Sequence, residues 1–159
     1  MIKLCGVVLL AVGLLFCVGC ESKPPPEASK SLQAAMKALK EKDVPGFIKQ
    51  VVPDQRKKID YGKAVSDSKV RAAPLAQLMA MEHFSTFERA ELSEEAGSDQ
   101  TDTSTSIAVT FWYKDNSWFI FYFEMKKQGA AWLIDMKSSV ERAYRVSGNN
   151  AFSAQKLIQ

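Results

Sequence analysis

Few residues in this chain have the types and spacing that catalysis needs. His83 is the single histidine among the 159 residues, and to act as a general base it needs a carboxylate or a phenol within hydrogen-bond reach. Asp135 and Tyr122 are the candidates for those places, with Tyr113 as a second donor. Asp135 stands between Ile134 and Met136. Turned into a pocket, its carboxyl would be raised by burial toward the range of a working base. The simpler expectations are a histidine at the edge of a helix's apolar face and a strand aspartate turned to water, and the sequence favours both. After residue 20 there is no cysteine, and the chain carries no Ser-His-Asp order, glycine-rich phosphate loop or multi-histidine set. Hydrolase, nucleotide-binding and zinc chemistry therefore lack their signatures, and no cofactor or metal is expected.

The cysteines carry a different chemistry. Cys5, Cys17 and Cys20 all fall within the first twenty residues, so the rest of the chain has none to pair or to bind metal. Met1-Ile2-Lys3 supplies one positive charge, and Leu4 to Phe16 is a nearly unbroken apolar run, as in the central region of a signal peptide. The run is shorter than the ~20 apolar residues a spanning helix needs. Cys17-Val18-Gly19-Cys20 follows, then Glu21-Ser22-Lys23 and three prolines. This arrangement resembles the bacterial lipoprotein signal, in which a small residue precedes a cysteine that receives diacylglycerol on its sulfur before the peptidase cuts. Cys17 stands where that family usually has leucine. As an acceptor Cys17 would put Phe16 at the cleavage position, so Cys20 is the better choice.

The resemblance implies a signal peptide over residues 1–19, lipid on Cys20 and a membrane as partner. Glu21 in place of aspartate implies the periplasmic face of the outer membrane. Acyl chains contribute about 0.8 kcal/mol per buried CH₂, so two or three of them hold a protein without a transmembrane helix. Residues 20–27, centred on Pro24-Pro25-Pro26, are expected to form a tether in the polyproline II form at about 3.1 Å per residue, lifting the domain clear of the headgroups.

Positioning of His83, Tyr122 and Asp135 falls to the elements beyond. Ala28, Leu32, Ala35, Met36 and Leu39 recur at helical spacing and predict an amphipathic helix from about Pro26 to Glu41. Asp43-Val44-Pro45 caps and starts a short helix carrying Phe47, Ile48, Val51 and Val52 and ended by Pro53. Leu75, Leu78, Met79, Glu82 and His83 mark a third helix beginning near Pro74. Then the period falls to two. Phe87 to Glu94 alternates loosely; Thr105, Ile107, Val109, Phe111 and Tyr113 share a face; so do Phe119, Phe121, Phe123 and Met125 within Trp118 to Lys126. A last strand is expected from Ala131 to Lys137, with Trp132, Ile134 and Met136 on one side. Helices followed by strands predict an α+β fold, with N-terminal helices packed on a curved antiparallel sheet of about four strands. The domain is expected over 28–139, with 140–159 a covering helix, a dimer contact or a flexible tail.

The opening helix, the step Lys40-Glu41-Lys42-Asp43-Val44-Pro45-Gly46-Phe47 and the closing run Lys127-Gln128-Gly129-Ala130-Ala131-Trp132-Leu133-Ile134 resemble, in their order, the nuclear transport factor 2-like or cystatin-like cone fold. That superfamily holds isomerases, dehydratases, polyketide cyclases and many non-catalytic binding domains, so the resemblance alone does not choose an activity. It implies one alternative, an isomerase- or dehydratase-like enzyme with Asp135 or His83 as base and Tyr122 or Tyr113 donating. The favoured expectation is a non-catalytic binding or interaction domain. Its candidate surface is the aromatic face that carries Trp112, Trp118 and Tyr122, which would meet a ligand, a second copy of the chain or an envelope protein. A net charge of +3, with no concentrated basic stripe, does not favour nucleic acid.

Overall fold

The computed structural model describes residues 23–57, 82–97 and 99–147. The expected signal peptide, Cys20, the expected start of the third helix near Pro74 and the chain beyond Ser147 lie outside the described residues.

The first element is set by its apolar stripe. Helix α1 (Pro26–Lys40) buries Ala28, Leu32, Ala35, Met36 and Leu39, the five residues the spacing placed on one side. Pro26 opens it where a missing N–H costs nothing, and Lys37 and Lys40 end it where positive charge meets the negative end of the helix dipole. Lys42 then turns the chain with φ 60°. Asp43 caps α2 (Val44–Lys49), its Oδ1 accepting from the Gly46 N–H at 3.0 Å. Past α2 the chain straightens for Val51 and Val52 and then forms a single 3-10 turn, Pro53–Gln55. Helix α3 (Glu82–Ser85), at the end of the segment expected as the third helix, lowers Phe84 into the core.

Four strands follow as a meander. They are β1 (Arg89–Ala96), β2 (Ser104–Trp112), β3 (Trp118–Gln128) and β4 (Ala131–Ile134), ordered β1-β2-β3-β4 in one antiparallel, open, curved sheet. Strict alternation makes one face apolar: Ile107, Val109 and Phe111 of β2 lie opposite Phe123, Phe121 and Phe119 of β3, and all six are buried. Phe84 stands edge-on to Phe111 at 5.6 Å and to Phe121 at 5.3 Å, so α3 is held by ring packing. Gly129, with φ 61°, makes the tight β3–β4 turn in a conformation that a Cβ disfavours.

Two sequence expectations change at the end of the sheet. The last strand stops at Ile134 instead of continuing to Lys137, because Asp135 begins a helix. Helix α4 (Met136–Ser147) runs through the 139/140 boundary expected for the domain. Met136 is therefore a helical residue, and with Val140 and Ala143 it forms the buried side of α4. Part of the segment expected as a tether over 20–27 belongs to the folded body. Pro24 is buried, and Pro25 and Pro26 already belong to the cap and first turn of α1. Among the described residues, no helix is long and apolar enough to cross a membrane.

Candidate functional site

Asp135 sits where β4 gives way to α4, and its residue is only 2% exposed. This reverses the expectation that it faces water. Four donors reach its carboxylate. Gln55 donates through Nε2 to Oδ1 at 2.8 Å, the Ser138 N–H to Oδ1 at 3.0 Å and the Ser138 hydroxyl to Oδ2 at 2.8 Å. The Lys126 ammonium forms an ion pair with Oδ2. Asp135 is thus the N-cap of α4, the end at which orphan N–H groups and the helix dipole favour a negative charge.

The surrounding bonds lock that corner. Gln55 accepts from the Lys137 N–H at 2.9 Å while donating to Asp135, so one side chain of the 3-10 turn bridges the start of α4. The Ser139 hydroxyl donates to the Asp135 carbonyl at 2.7 Å and accepts from the Glu124 N–H at 2.8 Å. The Asp135 N–H donates to the Glu124 carbonyl at 2.7 Å. Three chain segments, around residues 55, 124–126 and 135–139, meet at this one carboxylate.

Charge follows from the geometry. Burial by itself would raise the Asp135 pKa, but the hydrogen bonds from Lys126, Ser138 and Gln55 outweigh it and hold the value down from the ordinary 3.8 to about 2. The same hydrogen bond raises the pKa of Lys126, against the opposing effect of its own burial. A carboxylate with both oxygens occupied and so low a pKa is a poor proton acceptor near neutrality.

The other nominated groups lie elsewhere. His83 rests on Phe119 with ring centroids 5.2 Å apart, and its carbonyl accepts from the Tyr113 hydroxyl at 2.8 Å. Phe119 and Glu124 are five residues apart on β3, so the His83 and Asp135 neighbourhoods are separated by about 17 Å of strand. Tyr122 occupies the opposite sheet face, where the Arg142 guanidinium of α4 lies over its ring at 4.5 Å and pairs with Glu124 at 3.0 Å. His83, Asp135 and Tyr122 therefore do not converge on one point. Among the described residues, no group of three or more His, Cys, Asp or Glu side chains is placed to hold a metal ion.

The second face of the sheet divides into two parts. Helix α4 covers the end with Tyr122 and Glu124. Toward the other end, Trp112 and Trp118 form a cross-strand pair and are half-buried, while Ile120 is 39% exposed. Trp112 is tied down: its indole N–H donates to Glu91 Oε2 at 2.9 Å, and Arg89 stacks over its ring at 4.8 Å while pairing with Glu91. The partners that fix Asp135, namely Gln55, Lys126 and Ser138, were not singled out from sequence. Asp135 followed three residues later by Ser138 is the local trace of the cap. Comparison with protein-family models, curated proteins and solved structures finds no match to this chain.

Proposed function

We propose that this chain is a cell-envelope lipoprotein, held to the membrane through lipid on Cys20, whose α+β domain is a non-catalytic binding or interaction module. The observation that carries the reading is the charged start, the apolar run Leu4 to Phe16 and the Gly19-Cys20 junction. Glu21 after the cysteine points to the outer membrane. The non-catalytic part is supported by the fate of the best acid–base candidate: the Asp135 carboxylate is spent on capping α4, far from His83. Helices packed on a four-stranded meander also fit the nuclear transport factor 2-like or cystatin-like resemblance, a superfamily with many binding domains. The candidate contact surface is the part of the second sheet face which α4 leaves uncovered, with Trp112 and Trp118, for an envelope protein or a second copy of the chain; Tyr122, expected to share it, lies under Arg142 of α4.

The test compares the full-length protein and its Cys20→Ser variant expressed in a Gram-negative host, by intact mass and detergent-phase partition. The expected result is a cleaved, acylated, membrane-bound protein whose variant loses both the acyl mass and the membrane fraction. An uncleaved or unacylated product refutes the reading.

A further inference from the structure

The place at which the chain enters the fold limits how the domain meets a membrane. Lys23 and Pro24 share a groove with Ser29 and Gln33 of α1 and with Ser93 and Glu94 of β1, and Pro24 is buried there. The chain therefore joins the folded body at the outer edge of β1. Only Glu21, Ser22 and Lys23 separate Cys20 from Pro24. Whatever path they take, four Cα steps of at most ~3.6 Å limit the span to about 14 Å.

Resting on the lipoprotein reading above, we infer that the domain stands edge-on to the bilayer, with the β1 edge and the start of α1 as its membrane-facing surface. Three interstrand spacings of about 4.8 Å separate β1 from β4. The far side of the sheet, where Gln50 and Val52 bond to Ile134 of β4, is thereby held further out, by up to about 14 Å. The aromatic face lies across this axis and stays open to a partner approaching along the membrane. Covalent reach sets this posture, since β1 carries Glu91, Glu94 and Glu95 against Arg89 alone and has no excess of positive charge to draw it onto anionic headgroups.

The arrangement also protects the fold. Among the described residues no strand pairs with the outer side of β1, and an open strand edge invites pairing with other chains. A bilayer within reach of a three-residue leash restricts access to that edge.

The test uses the full-length protein, whose mature form keeps no thiol besides Cys20. Glu95→Cys on β1 and Lys49→Cys on α2, both at exposed positions, are each labelled with a thiol-reactive fluorophore. The processed proteins are reconstituted into phosphatidylethanolamine/phosphatidylglycerol vesicles that carry a headgroup-attached spin label. The expected result is an acylated protein with strong loss of fluorescence at position 95 and little at position 49. Acylated protein with equal loss at both positions, or greater loss at 49, overturns the edge-on posture and leaves the anchor standing. Protein without acyl mass removes the anchor and the posture together.

Discussion

Replacing Asp135 separates the two contributions of its carboxylate. Its pKa falls from the ordinary 3.8 to about 2 on folding. At about 1.4 kcal/mol per unit, the charged form is therefore stabilised by about 2 kcal/mol relative to the protonated form. The Asp135 side chain is 2% exposed but its Lys126 partner is 53% exposed, so solvent screens part of the ion pair and about 2 kcal/mol is the upper value. Asp135→Asn keeps an oxygen for the Ser138 N–H and loses the charge, and it is expected to cost between about 1 and about 2 kcal/mol at neutral pH. Asp135→Ala also removes the cap, for a further loss of about 1 kcal/mol. The folded pKa lies below the unfolded one, so this stability is complete above the unfolded value and is lost as pH falls through about 2. Urea unfolding followed by tryptophan fluorescence gives the measurement. The gap between wild type and Asp135→Asn should be full at neutral pH and narrow steadily toward pH 2. A gap that keeps its size across that range refutes the assignment of the low pKa to the folded cap.

Two further outcomes follow from the same geometry. Lys126→Met removes the ammonium and leaves the neutral donors in place, so the Asp135 pKa should rise from about 2 and acid unfolding should begin at higher pH; an unchanged acid limb in a pH titration counts against the ion pair. Asp43→Ala should cost about 1 kcal/mol by uncapping α2, and because a Cβ on Gly46 would run into the Asp43 carboxylate, Gly46→Ala should expel the same cap. The double variant should then cost clearly less than the two singles added, a non-additivity that urea unfolding measures directly.

The parts of the fold that were legible in the sequence are those in which one face is buried along a regular period. The stripe of α1 and the alternation of β2 and β3 gave the right residues, because burial there depends on neighbours in the same or the paired element. The end of the sheet was misread because Trp132, Ile134 and Met136 satisfy a period of two, whereas Met136, Val140 and Ala143 equally satisfy a helical one. What decides between them is Asp135, and its decisive partner Gln55 lies 80 residues away in a turn that has no periodicity. The separation of His83 from Asp135 was likewise unreadable, since it depends on which ends of β3 the two elements reach. For the surface residues the sequence named Trp112 and Trp118, yet the Arg89 and Glu91 that restrain Trp112 come from β1, the strand with the loosest pattern.

The brace at β4 governs how large an assembly this sheet is able to build. Ile134 spends its N–H on the Gln50 carbonyl at 2.8 Å and its carbonyl on the Val52 N–H at 3.0 Å, so the four-residue β4 has no continuous row of bonds to offer. Polymerisation by strand addition requires a receiving edge and a donating edge on every copy. With one terminus of the sheet already stoppered by its own chain, end-to-end growth of such a sheet terminates at a pair.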